Sequence, residues 1–207
     1  MMDFNGLIQV FLKSPQPGKV KTRLIPDLGE TLATDIHERL VTRVMGVCEA
    51  LDVTTECWVA GDISLPFVQA LGQRHALYEQ QGLDLGERMY HALLHGLARY
   101  PRVVLVGADA YSLTPETINR AFASLDRHDV VLGPASDGGY ILVGANKLHP
   151  DMFRDVDWGT ASVLDQQLEN IVLCGLHYEL LPAGYDIDDL EDLRRFAPEL
   201  LPGEPPG

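Results

Sequence analysis

The chain has 207 residues, enough for one α/β domain, and its 46 % hydrophobic and 22 % charged residues are ordinary for a globular protein. A net charge of −14 excludes a broad basic surface, and with it nucleic acid as the expected partner. No apolar run reaches the roughly 18 residues of a membrane span, so no membrane partner is expected.

The first apolar run, Gly6–Leu12, predicts a buried strand. It is followed by Lys13-Ser-Pro-Gln-Pro-Gly-Lys-Val-Lys-Thr-Arg-Leu24, which holds four of the sixteen basic side chains and no acid. A helix over about 30–51 follows, with Leu32, Ile36, Leu40, Val44, Val47 and Leu51 at helical spacing. Further strands are predicted at 54–60, 75–79, 102–107, 129–133 and 140–145, with a strand-like run at 178–181. The runs at 103–106 and 130–132 are continuously apolar, as strands covered on both faces require. Between them helices are expected at about 84–99, from Thr114-Pro115-Glu116, near Thr160 and near Asp188. Strand–helix alternation implies an α/β fold, a mostly parallel sheet with helices on both faces. Residues 1–197 read as one domain, and the Pro-rich tail 198–207 is expected to be poorly ordered.

Met1-Met-Asp-Phe-Asn5 lacks a signal-peptide pattern. Cys48, Cys57 and Cys174 form neither a disulfide framework nor a zinc motif. A cytoplasmic protein is expected, with its cysteines as core filler.

The basic loop leaves a strand's carboxyl end, where open α/β sheets bind ligands. It is neither a Walker A loop nor a G-x-G-x-x-G dinucleotide loop. Stiffened by Pro15 and Pro17 and turned at Gly18, it reads as a phosphate cradle of Lys13, Gly18, Lys19, Lys21, Thr22 and Arg23. Lys21 and Arg23 are the candidates for neutralising charge on the reacting phosphates. Nucleotide phosphate chemistry calls for Mg²⁺ (or Mn²⁺) held by carboxylates. Asp109, ending the most apolar strand, is the first candidate ligand. Asp186 and Asp188 alternate onto one side of an extended segment and are the second, with helix capping as the other role for Asp188 or Asp189. In Asp137-Gly138-Gly139, the glycines let backbone approach a ligand and Asp137 is a candidate catalytic carboxylate; a hairpin turn fits the same residues.

Lys13-x-Pro-x-Pro-Gly-x-Val-Lys-Thr-Arg-Leu24, Asp84-Leu-Gly-Glu-Arg88, Gly107-x-Asp109, Gly133-Pro134-x-x-Asp137-Gly-Gly-Tyr140, Trp158-x-Thr160 and Asp186-Ile-Asp188 occur in this order. Together they resemble a bacterial glycosyltransferase-like family of unassigned function in the nucleotide-diphospho-sugar transferase (GT-A) superfamily. That family is similar to 2-phospho-lactate guanylyltransferase, and some members are linked with arsenosugar biosynthesis. The resemblance covers about residues 5–195 and implies a GT-A fold, a nucleotide donor and a small-molecule acceptor. It also implies a divalent metal at Asp109, with a second contact near Asp186 and Asp188. One departure falls at Gly107-Ala-Asp-Ala-Tyr111, where the family reads Gly-Ser-Asp-Cys-Pro; the loss of Ser and Cys-Pro and the entry of the bulky Tyr111 are expected to bear on metal geometry or acceptor choice, or on whether activity is kept.

Three readings stay open. The first is nucleotidyl transfer from an NTP to a phosphorylated small molecule, favoured slightly by the number of cations. The second is glycosyl transfer from a nucleotide-sugar, with Asp137 as base. The third is nucleotide binding without catalysis.

Overall fold

The structure is a computed structural model, and it describes residues 5–201. Among these, seven strands form one sheet in the order β3-β2-β1-β4-β6-β5-β7. In chain order the elements are β1 (Leu7–Lys13), α1 (Ile25–Glu49), β2 (Thr54–Ala60), α2 (Pro66–Gly72), β3 (Ala76–Glu79), α3 (Leu85–Leu97), β4 (Val103–Gly107) and α4 (Pro115–Ser124). They continue with β5 (Val130–Pro134), β6 (Tyr140–Ala145), α5 (Val163–Leu173), β7 (Tyr178–Leu180) and α6 (Leu190–Phe196). β1 pairs in parallel with β2 and β4, β2 with β3, and β5 with β7, whereas β6 runs antiparallel to both β4 and β5. The sheet is therefore mixed and mostly parallel.

Strand periodicity assigns the two faces. On β1, Ile8, Val10 and Leu12 pack with Val41, Val44, Ile118 and Phe122 of α1 and α4. Leu7 and Phe11, of opposite parity, pack with Met89 and Leu93 of α3 and Ile171 of α5. Both faces are covered by helices, which is why β4 and β5 read as continuous apolar runs. A third cluster, Leu24, Ile36, Leu40, Ile187 and Leu193, joins the start of α1 to α6.

The regular part of α1 starts where the periodicity places it, because Gly29 (φ 78°, ψ 163°) breaks off a first turn at Ile25. The helix α2 is an addition to the expected elements: its single turn or two begin at Pro66, too short to show a period. Cys48 and Cys57 are buried in the core, and burial pushes both thiols up to about 12, consistent with inert filler. Of the tail expected from Pro198, Pro198–Leu200 form a 3-10 turn, and Leu200 and Leu201 pack on the third cluster. The rest of that tail lies outside the described residues. No helix among the described residues is long and apolar enough to cross a membrane.

Candidate functional site

The chain leaves β1 for β2 on one side and later returns to β4 on the other, so the sheet order reverses at the carboxyl ends of β1 and β4. A crevice opens there by topology. It is a cavity of about 620 Å³, in the range of small-molecule sites. Lys13, Lys21, Thr22, Arg23, Asp109, Asp137, Gly139, Asp186 and Asp188 all line it. Gly18, Lys19 and Gly138 are not among its lining residues.

Lys21 is the centre of the polar end. Its backbone is left-handed (φ 44°, ψ 46°) at the start of a 3-10 turn over Thr22–Leu24, a conformation that costs a non-glycine residue about 1 kcal/mol. In that position its ammonium, 6 % exposed, lies 2.9 Å from Asp109 Oδ2 and 2.9 Å from Asp188 Oδ1. Burial alone would lower the lysine, but the two carboxylates outweigh it and the value is raised. Burial would likewise raise Asp109, but the Lys21 charge and hydrogen bond hold it below the ordinary carboxylate range. Arg23, mostly exposed, reaches Asp188 Oδ2 at 3.5 Å.

Asp186 differs from its neighbours: its carboxylate makes no hydrogen bond or ion pair within the described residues. Burial, then the like charges of Asp109, Asp188 and Asp137, push it up to about 7. Asp109, Asp186 and Asp188 each offer a ligand atom within 4.8 Å of the others. Three carboxylates around a single ammonium leave negative charge uncompensated, and oxygen donors alone suit a hard divalent cation such as Mg²⁺ or Mn²⁺. The donor set fits the metal that the family resemblance implies.

Local sequence explains this placement. Asp189, not Asp188, caps α6: its side chain accepts from the Glu191 and Asp192 amides, and Asp192 returns bonds to the Asp188 and Asp189 amides. Asp188 is thereby left to face Lys21. The residues alternating with the two acids point the other way, Ile187 being fully buried and Tyr185 stacked on Phe196 at 3.9 Å.

Asp137 sits in the turn of the β5–β6 hairpin, where its carboxylate accepts from the Gly139 amide at 2.9 Å. The hairpin and cavity roles of this turn coexist. Gly138 has φ 92°, and a Cβ there would overlap the Ala161 carbonyl oxygen; its own carbonyl accepts from Leu164 N at 2.9 Å. It docks the 158–162 segment against the hairpin. Lys19 is exposed, and Gly18 faces the Glu30 carboxylate.

Tyr111 does not enter the cavity. Its ring lies under the Arg43 guanidinium at 4.4 Å and its hydroxyl donates to Glu199, behind Asp109. Of the departure at 107–111, Tyr111 therefore alters the packing behind the site, whereas Ala108 lines the cavity itself.

Several lining residues escaped the sequence reading. His37, 6 % exposed, donates from Nε2 to the Lys13 carbonyl at 2.8 Å, and burial lowers its pKa. Nothing local marks it, since it occupies an ordinary core position of α1. Arg88 also lines the cavity, its Nε donating to the Gly82 carbonyl at 3.1 Å; it stood in a quoted motif without a role. Trp158 and Thr160 complete the far end with Leu85, Met89 and Val163.

This fold and cavity define the class: a nucleotide-diphospho-sugar transferase-type α/β domain, which is a transferase by class. The chain belongs to the family described as "Uncharacterized protein conserved in bacteria (DUF2064)", which matches residues 44–160, a span including Asp109 and Asp137. No curated protein matches the sequence. Among solved structures, it is similar to a protein from Desulfovibrio desulfuricans G20 provisionally designated a nucleotide-diphospho-sugar transferase. The two are 34 % identical over 93 % of this chain and 91 % of that one, with a TM-score of 0.83. The inositol-1-phosphate CTP transferase from T. maritima shares the fold at 16 % identity, over 94 % of each chain, with a TM-score of 0.61. So does the 4-diphosphocytidyl-2C-methyl-D-erythritol synthase from Anaerococcus prevotii DSM 20548, at 10 % identity over 95 % and 99 % of the chains, with a TM-score of 0.57.

Proposed function

We propose that this protein transfers a nucleotidyl group from a nucleoside triphosphate to a phosphorylated small molecule, with Mg²⁺ or Mn²⁺ on Asp109, Asp186 and Asp188. The observation that carries the reading is one cavity in which Lys13, Lys21 and Arg23 stand beside an undercompensated carboxylate triad. The reading treats residues 1–197 as a single transferase domain.

Phosphoryl-group chemistry needs positioning and charge neutralisation more than a protein base. Lys13 and Arg23, which line the cavity, would hold the leaving pyrophosphate. Lys21, paired with Asp109 and Asp188 and lining the same cavity, would serve the acid cluster and a bound phosphate alike. Asp109, Asp186 and Asp188 would hold the divalent ion, which when bound supplies charge neutralisation to phosphate oxygens. The apolar end, with Met89, Tyr140 and Trp158, excludes water around the non-reacting part of a substrate.

A second reading, glycosyl transfer from a nucleotide-sugar, is favoured by the designation of the D. desulfuricans relative. Asp137, at the cavity wall, is then the available base. Incubation with Mg²⁺ and panels of NTPs and nucleotide-sugars separates the two. Pyrophosphate release with a phosphorylated acceptor supports the first reading, and NDP release with sugar transfer supports the second. If neither ligand class shifts the melting temperature, nucleotide use itself is refuted. Asp109→Asn should lower turnover by about 10²–10³ and weaken Mg²⁺-dependent nucleotide binding; unchanged Mg²⁺ dependence would remove Asp109 from the site.

A further inference from the structure

Asp109 follows β4, whereas Asp186 and Asp188 precede α6, and the two stretches must be held together for three carboxylates to converge. Ser112 makes that junction. Its amide donates to the Tyr185 carbonyl at 3.1 Å and its hydroxyl donates to the same carbonyl at 2.9 Å. The Tyr185 amide donates back to Ser112 Oγ at 2.7 Å. One serine thus engages both backbone polar groups of the residue immediately before Asp186. The next link is weaker, Ile187 N to the Asp109 carbonyl at 3.3 Å. Gly184 makes room for the serine, because a Cβ there would overlap Ser112 Oγ. Lys21 ties Asp188 to Asp109 directly, but the Asp186 side chain has no such tie, so only its backbone sets its position.

We propose that Ser112 is a positioning residue: its hydroxyl clamps Tyr185 and so holds Asp186 across from Asp109, assembling the divalent-cation site. The inference rests on the metal reading above but concerns a residue that touches neither metal nor substrate. Loss of an outer partner that orients metal ligands typically costs about 10–100-fold in metal affinity. Ser112→Ala removes both hydroxyl bonds and leaves the amide bond in place.

The test is Mn²⁺ titration of the full chain, followed by the electron paramagnetic resonance signal of the free ion, beside calorimetric binding of pyrophosphate without metal. Ser112→Ala should weaken Mn²⁺ binding by about ten-fold or more and leave pyrophosphate binding unchanged, since the cation loop is untouched. Ser112→Thr, which keeps the hydroxyl, should restore Mn²⁺ affinity. Equal Mn²⁺ affinity in Ser112→Ala and wild type overturns the role of Ser112 alone. So does an equal loss of Mn²⁺ and pyrophosphate binding, which signals general loosening. A wild-type protein that binds no Mn²⁺ overturns both the metal reading and this one. If Ser112→Ala fails to fold, Ser112→Cys, similar in size with a weak donor, carries the same comparison.

Discussion

Asp186 and Lys21 occupy one cluster yet lie at opposite electrostatic extremes. Lys21 has two carboxylate partners at 2.9 Å, while Asp186 has none and sits among like charges. Its folded value of about 7 lies above the ordinary 3.8, so between those pH values the folded protein keeps a proton that the unfolded chain has released. That proton favours folding fully below the unfolded value, and the benefit is lost as pH rises through about 7. The metal-free protein should therefore become less stable from pH 5 to pH 8. A divalent cation replaces the proton, so Mg²⁺ should raise the melting temperature more at pH 8 than at pH 5.5. For a partly solvated group the difference should be about 2–4 °C, the shift for about 1 kcal/mol in a chain of this size. Thermal unfolding with and without Mg²⁺ measures it; the same shift at both pH values would place the cation elsewhere.

Two neighbouring elements owe their arrangement to a glycine that the substrate need not touch. The β5–β6 hairpin carries Asp137 and Gly139 to the cavity, while Gly138 accepts the 158–162 segment through backbone contact with Ala161. Gly138→Ala faces both the left-handed φ of 92° and that overlap. It should destabilise the fold by about 2–4 kcal/mol and displace Trp158 from the cavity wall. Chemical denaturation and the Trp158 fluorescence environment read the two effects; an unchanged denaturation midpoint would mean that the segment is not docked as described. The α6 cap shows the same division of labour, with Asp189 satisfying the helix end and Asp188 left to the site.

At the scale of the whole molecule, stability and site chemistry are separable. Glu56 on β2 is 2 % exposed and paired with Arg99 through two bonds, at 2.7 and 3.1 Å, away from the cavity. Removing one partner leaves a buried charge without compensation. Arg99→Met should cost about 2–4 kcal/mol in urea unfolding, the half-exposed guanidinium keeping it below the extreme, with Mn²⁺ affinity unchanged. A variant as stable as wild type would show that the Glu56–Arg99 pair adds nothing to the stability of the fold.

Much of this architecture is legible in the chain because it is locally encoded. Period-2 and continuous apolar runs mark β1, β4 and β5, helical spacing marks α1, and the cations of Lys13–Arg23 stand out in an acidic protein at a strand end. Candidate carboxylates could be picked out from their local setting: Asp109 follows an apolar strand, and Asp186 and Asp188 alternate onto one side of an extended segment. What tertiary structure alone decided is long-range. The antiparallel insertion of β6 between β4 and β5, the turn of Tyr111 away from the cavity, the packing duty of Gly138 and the use of His37 all depend on partners far along the chain. Ser112 and Tyr185 lie 73 positions apart, and no local pattern links them. Propensity and periodicity report what a segment buries, whereas the convergence of three carboxylates, two of them on one lysine, depends on which distant backbones the fold brings within hydrogen-bond reach.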